Sequence, residues 1–199
     1  MSYPARLVIA SRNEGKIREI RRICAPWPVA WLTHGEIELP EVDETGETYL
    51  DNALLKARTI AQATGEAALA DDSGIEVDAL GGGPGPRSAR YAGPGATDRA
   101  NLQALLAAVR GVPPEGRGAR YRAVAAVAWP DGRAAWEEGE CEGSLRTEPK
   151  GDGGFGYDPV FEPVGHGRTM AELAPEEKDV ISHRGLALRA LGERLAADP

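Results

Sequence analysis

RLVIASRNEGKIREI, residues 6–20, packs a strand, a turn and a helix into one short stretch. The apolar run at residues 6–10 predicts a short buried strand, Ser11, Arg12 and Asn13 a polar turn, and a helix begins near Glu14. Ile17, Ile20 and Cys24 share one face of that helix, which leaves Arg18, Arg21 and Arg22 toward solvent. A strand passing directly into a helix is the opening unit of an α/β protein, and the rest of the chain is read outward from it.

Residues 29–33 predict a second strand, residues 36–47 an acidic loop, and residues 48–64 a helix with Leu50, Leu54, Ala57 and Ala61 inward. Asn52 and Lys56, four apart, share one face of that helix. Residues 67–70 predict a strand running into Asp71, Asp72, Ser73 and Gly74, with residues 75–77 as a separate short strand. The stretch GGGPGPRSARYAGPG at 81–95 is too rich in Gly and Pro for regular structure, and Thr97 is a suitable N-cap for a helix to about Arg110. Residues 121–129 and 133–145 predict an antiparallel hairpin turning at Pro130, Asp131 and Gly132. A glycine-rich loop follows at 151–159, Val160 and Phe161 start a short strand, and residues 169–197 are helical with breaks near Pro175 and Ser182. Strands alternating with helices, plus one hairpin, predict an α/β fold with a mixed sheet. The length of 199 residues suits a single domain over 1–199 or two closely joined lobes. The hairpin at about 119–146 is the expected second lobe or dimer surface.

Composition excludes some functions. A net charge of −8 argues against general binding to nucleic acid or to anionic membranes, so any phosphate site must be local. No apolar stretch approaches the roughly 20 residues that span a bilayer, and the opening MSYPARLVIASRNEGK lacks signal-peptide character. The expectation is a cytoplasmic protein. Cys24 and Cys141 have no metal-type spacing and are expected to be buried thiols. Of 23 basic residues only four are Lys, at 16, 56, 150 and 178. A compact ammonium suits a phosphate as a point charge, so these positions are informative.

Several short constellations carry chemistry. Ser11, Arg12, Asn13, Glu14, Gly15 and Lys16 lie between strand and helix, where free N–H groups and the helix dipole favour an anion. The same residues also read as an ordinary capping turn, and the P-loop pattern is absent because only Gly15 precedes Lys16. Asp71 and Asp72 project to opposite faces, so one can reach a pocket while the other holds loop backbone or meets solvent. Asp72 fits a magnesium ion, which bridges one or two carboxylates to substrate phosphates, and the loop at 41–44 can supply a second carboxylate. Phe155, Gly156, Tyr157 and Asp158 offer an aromatic face and a carboxylate, suited to a stacked base or to a tight turn with a core Phe. Ser182, His183 and Arg184 place donors beside a helix start.

The order and wording of these motifs resemble the inosine triphosphate pyrophosphatase family over nearly the whole chain. The resemblance rests on SRNEGK at 11–16, ETGETYLDNALLKA at 44–57, ADDSG at 70–74 and PGPRSARYAG at 84–93, and continues through GGFGYDPVF at 153–161, EEK at 176–178 and SHRGLAL at 182–188. It implies an elongated two-lobed α/β fold with the site in the intervening cleft, usually a homodimer. It further implies hydrolysis of ITP, dITP and XTP to the monophosphate and pyrophosphate with Mg2+. Ser11 to Lys16 would bind the triphosphate, and Asp72 would bind magnesium and act at the attacking water. Ser73 would contact substrate, and Lys56 and Lys178 would support the phosphates and the bound nucleotide. Phe155, Gly156, Tyr157 and Asp158 would line the base pocket, with His183 and Arg184 reading the purine 6-keto group. The family commonly has paired Glu before Thr-Gly, where this chain has Asp43 and Glu44. Asp43 is the favoured second metal carboxylate, with Glu41 and Glu44 as rivals. A pyrophosphatase for modified pyrimidine nucleotides and a non-catalytic nucleotide sensor are the alternatives.

Overall fold

The computed structural model describes residues 2–197. Its elements in chain order are β1 (Arg6–Ile9), α1 (Glu14–Ile23), β2 (Ala30–Leu32), α2 (Tyr49–Thr64), β3 (Ala67–Val77), α3 (Asp98–Ala108), β4 (Gly118–Ala128), β5 (Ala134–Leu145), β6 (Phe161–Pro163), α4 (Pro175–Ile181) and α5 (His183–Ala196). The strands form one sheet in the order β2-β1-β3-β4-β5-β6. β1 pairs parallel with β2 and β3, whereas β5 pairs antiparallel with β6, so the mixed α/β sheet expected from the sequence is present.

Alternation along β1 and β3 assigns each helix to a face. Leu7, Ile9, Ala67 and Leu69 pack in one core with Ile17 and Ile20 of α1 and Leu188 and Leu191 of α5. Val8, Ala10, Ala68 and Ala70 belong to a second core with Ala53, Ala57 and Ile60 of α2. Successive strand residues point to opposite faces, so a single apolar run feeds both cores. The third core gathers Ile75, Val77, Leu105, Tyr121, Phe161 and Met170.

By contacts the chain divides into two compact units. One comprises the residues up to Asp72, Ala123–Gly139 and the segment from Arg184 on; the other comprises Ser73–Arg122 and Glu140–His183. The hairpin therefore contributes its tip to one unit and its base to the other. Residues 67–77 form one continuous strand rather than the two short ones expected. Gly74 stays extended and buried within it, and β4, of equal length, lies alongside. The glycine-rich stretch holds short 3-10 turns at Asp78–Leu80 and Gly85–Arg90. Among the described residues, no helix is long and apolar enough to cross a membrane.

The first unit has a tight contact at α5. Tyr3 donates its hydroxyl hydrogen to the carbonyl of Gly192 at 2.8 Å, and Trp27 lies against the same turn, stacked on Trp31. A Cβ on Gly192 would fall 2.7 Å from Trp27 Nε1 and 3.1 Å from the Tyr3 hydroxyl oxygen. Forcing a side chain into such a site costs about 1–3 kcal/mol. Gly192→Val is therefore expected to lower unfolding stability by about 2 kcal/mol, read as a shift of the urea midpoint with an unchanged slope.

Candidate active site

β3 carries two adjacent carboxylates, and its pleat sends them to the two faces already defined by the apolar residues before them. Asp71 continues the row of Ala67 and Leu69, toward α1 and α5. Asp72 continues the row of Ala68 and Ala70, toward α2. Both are buried, at 3% and 4% exposure. The expectation that one of them holds loop backbone or meets solvent is corrected: each is answered by cations.

On the first face, Arg184 spends its guanidinium on carboxylates. Its Nε and Nη2 donate to Asp71 Oδ2 at 3.0 and 2.9 Å, and its Nη1 donates to Glu19 Oε2 at 2.6 Å. Lys16 Nζ stands 3.2 Å from Asp71 Oδ2. Burial pushes the Asp71 carboxyl up, but Arg184, Lys16 and Lys56 outweigh it and hold the group well below the usual carboxylate range. For Lys16 the balance is opposite. Burial lowers its ammonium, and the pull of Asp71 does not recover the loss against Lys56 and Arg184.

On the second face, Lys56 Nζ donates to Asp72 Oδ1 at 3.2 Å and to Glu44 Oε1 at 2.7 Å. Asn52, fully buried, donates from Nδ2 to Asp72 Oδ2 at 3.3 Å and accepts the Gly46 N–H on Oδ1 at 2.8 Å. That second bond fastens the acidic loop to α2. Gly46 has no room for a side chain there, since a Cβ would sit 2.6 Å from Asp51 Cβ. The turn it anchors brings Glu44 to Lys56 and leaves Asp43 exposed, so the loop carboxylate beside Asp72 is Glu44 rather than the favoured Asp43. Burial raises the Asp72 carboxyl, against the downward pull of Lys56 and Lys16. Burial lowers Lys56, but Asp72, Glu44 and Asp71 more than compensate and its ammonium is held above the ordinary value.

The turn before α1 realises its capping reading, with Asn13 Oδ1 accepting the Lys16 N–H at 3.0 Å. Ser11 Oγ accepts the Asn13 N–H. Arg12 reaches the acidic loop instead, donating to the Leu39 carbonyl at 2.6 Å, and Glu14 pairs with His34 at 2.9 Å. Gly15 is half-buried in the first turn of the helix, and Ser73 is half-buried on β3.

In the second unit, Asp158 is the hub. Its Oδ2 accepts the Phe155 N–H at 2.9 Å and pairs with Lys178, and the Lys178 ammonium lies 5.0 Å from the centre of the Phe155 ring. Tyr121 donates to Asp158 Oδ1 and stacks on His183. The Gly156 N–H donates to Asp98. Tyr157 is buried and donates its hydroxyl hydrogen to the Ser88 carbonyl at 2.7 Å, which makes it an anchor of the loop. Phe155 is half-buried.

Sequence reasoning missed Glu19, Glu44's reach and Tyr121. Glu19 had a signal: it lies three residues from Lys16 on α1, between the inward Ile17 and Ile20, where a carboxylate needs a cation. Removing one member of a buried ion pair leaves the other charge uncompensated, at a cost of about 3–5 kcal/mol. Asp71→Asn is expected to destabilise the protein by about that much at neutral pH, measured by urea unfolding. The folded-state pKa of Asp71 lies below its ordinary 3.8, so below that pH the unfolded chain binds the extra proton first and stability falls with acid. The gap between wild type and Asp71→Asn should therefore hold constant down to the ordinary value of 3.8 and shrink only below it.

A profile of the Ham1 family matches residues 7–194. The chain is 51% identical over 192 residues to a dITP/XTP pyrophosphatase of Streptomyces coelicolor, covering 94% of each. It is 52% identical over 194 residues to one of Symbiobacterium thermophilum, covering 96% of this chain and 95% of that one. The structure of a HAM1 protein from Coxiella burnetii superposes with a TM-score of 0.87 at 40% identity, covering 96% of this chain and 98% of the other. With its motifs, its mixed sheet and its full-length match in agreement, the chain belongs to the Ham1 family.

Proposed function

We propose that this protein hydrolyses the non-standard purine nucleotides dITP, ITP and XTP to nucleoside monophosphate and pyrophosphate. The observation that carries the reading is the division between neighbours in the middle of β3. One carboxylate, Asp71, is locked among cations, while its neighbour Asp72 meets Lys56 and Glu44 with a raised affinity for protons. A carboxylate so tuned accepts a proton from water more readily than a surface Asp does. The similarity to proteins named dITP/XTP pyrophosphatase supports the same substrates.

On this reading the turn from Ser11 to Lys16 and the ammonium of Lys56 receive the triphosphate, and Ser73 contacts it. Asp72 orients the water that attacks the α-phosphorus and takes its proton, and pyrophosphate leaves. Asp72 and Glu44 form a hard oxygen donor pair now balanced by Lys56. Among the described residues no group of three or more acidic, His or Cys side chains is assembled to hold a metal by itself. That fits Mg2+, which uses one or two carboxylates and completes its shell with phosphate and water. When bound there, the ion supplies positive charge to the phosphates.

Phe155 stacks the base, with Gly156, Tyr157 and Asp158 shaping the loop around it, and Lys178 and His183 provide hydrogen-bond donors. Donors set for a 6-keto oxygen are left unpaired by the 6-amino group of adenine, which gives strong discrimination. Arg184 is engaged by Asp71 and Glu19, so we assign the 6-keto contact to His183 and give Arg184 the task of fixing Asp71. The net charge of −8 supports action on free nucleotides rather than nucleic acid, and we place the protein in the cytoplasm as a homodimer.

Pyrophosphate release from ITP, XTP, GTP and ATP, with and without magnesium, tests the reading; equal turnover of ATP and ITP, or none of either, overturns it. Asp72→Asn is expected to abolish release at saturating ITP while the melting temperature stays near that of wild type, and near-normal turnover removes Asp72 from the mechanism. Lys16→Ala should raise KM for ITP by about tenfold or more while changing affinity for inosine monophosphate far less. Equal losses for both ligands would count against placing Lys16 at the outer phosphates.

A further inference from the structure

Tyr121 stands on β4 within the second unit, outside every motif that marked the site in the sequence. It is 6% exposed. Its ring lies flat against the His183 imidazole, with centroids 4.5 Å apart and planes 7° from parallel. Its hydroxyl donates to Asp158 Oδ1 at 3.3 Å. Phe161 meets the same ring edge-on at 4.6 Å and helps to hold it in the core. The second oxygen of Asp158 is taken by the Phe155 N–H and Lys178.

An imidazole is free to swing about its terminal torsion, which has broad minima. A parallel ring at van der Waals distance removes that freedom, because rotation would drive the imidazole edge into the phenol face. A carboxylate bonded at both oxygens is fixed in the same way. One side chain thus limits the two polar groups that stand nearest the proposed base contacts. We propose that Tyr121 is a positioning residue for base recognition, its ring holding His183 and its hydroxyl holding Asp158. The inference rests on the base-binding role given above to Phe155, Asp158, Lys178 and His183.

Because Tyr121 acts on the base and not on the reacting phosphorus, its loss should appear in KM and in selectivity rather than in kcat. The test compares wild type, Tyr121→Leu and Tyr121→Phe by kcat and KM for pyrophosphate release from ITP, GTP and ATP, with a thermal melt of each. Tyr121→Leu is expected to raise KM for ITP about tenfold, to keep kcat within about twofold, and to narrow the ITP to ATP ratio of kcat/KM about tenfold. Tyr121→Phe keeps the stack, so it should retain most of the ratio with a rise in KM of about threefold. A folded Tyr121→Leu protein with wild-type KM and ratio overturns the proposal, as does a fall in kcat at constant KM and ratio. If Tyr121→Leu does not fold, the hydroxyl decides through a double-mutant cycle. The effect of Tyr121→Phe on KM should vanish when Asp158 is already Ala, and equal effects in both backgrounds overturn the proposal. A wild-type protein that turns over ATP as readily as ITP defeats the base-recognition reading and the role of Tyr121 with it. Discrimination present in wild type and unchanged in the variants defeats the role of Tyr121 alone.

Discussion

A carboxylate with almost no access to water has to be answered by positive charge, and Asp71 sets that demand in the middle of β3. Stripping one ion of water costs several kcal/mol even after the protein relaxes. Arg184 and Lys16 meet the demand, and Glu19 balances the second side of the guanidinium. The location of these cations is itself unfavourable. Lys16 sits in the first turn of α1 and Arg184 in the first turn of α5, where the helix dipoles already present positive ends. The cations are held there by Asp71 and Glu19 and not by their own helices. The outcome is the middle of a strand and two helix starts tied at one point.

The same backbone that buries Asp71 also frees Asp72 from its task. Neighbours on a strand face opposite ways, so two residues adjacent in sequence enter two different electrostatic environments. Arginine and lysine drive one carboxyl well below the usual range, whereas burial, outweighing the pull of the lysines, drives the other above it. A pair of titratable groups pushed apart by their surroundings is the usual foundation for divided labour in an active site. Here the division needs only a pleat, two helices on one side and one on the other. Asn52 adds precision by bonding both Asp72 and the Gly46 N–H, so the acidic loop and the carboxylate share one reference point on α2.

Much of this was legible in the sequence where the signal is local. The apolar run at residues 7–10 predicts a buried strand, the helix that follows shows its face through Ile17 and Ile20, and Asn52 and Lys56 advertise a shared face by their spacing. The resemblance built on ordered motifs agrees with Ham1 membership. What stayed hidden depends on distance along the chain. Glu19 and Arg184 are separated by 165 positions, and no periodicity couples them. Tyr121 reads as one more core residue of a strand, because nothing local distinguishes a phenol that packs from one that also holds His183. The turn that selects Glu44 over Asp43 depends on a bond from Gly46 to Asn52, a tertiary contact that a count of acidic residues does not contain. Residues 67–77 looked like two strands because Gly74 is a common breaker, yet the strand runs on beside β4.

The scarcity of lysine gains a physical meaning from these contacts. Lys16, Lys56 and Lys178 are all at least four-fifths buried and all paired with an Asp, while Lys150 is exposed and pairs with Glu172 at the surface. A guanidinium keeps its charge in any of these places, but burial weakens an ammonium's hold on its proton. Lys16 is the case in point, lowered by burial and by the nearby Lys56 and Arg184 against the pull of Asp71. On the proposed reading, an arriving phosphate supplies the negative charge that Asp71 cannot spare. Arg184 then has the complementary duty: by retaining Asp71, it lets Lys16 turn to the phosphate without leaving a buried carboxylate alone. An arginine at position 16 would present a broad fork in place of a compact point charge, and a lysine at position 184 would lack the fork that satisfies Asp71 and Glu19 together.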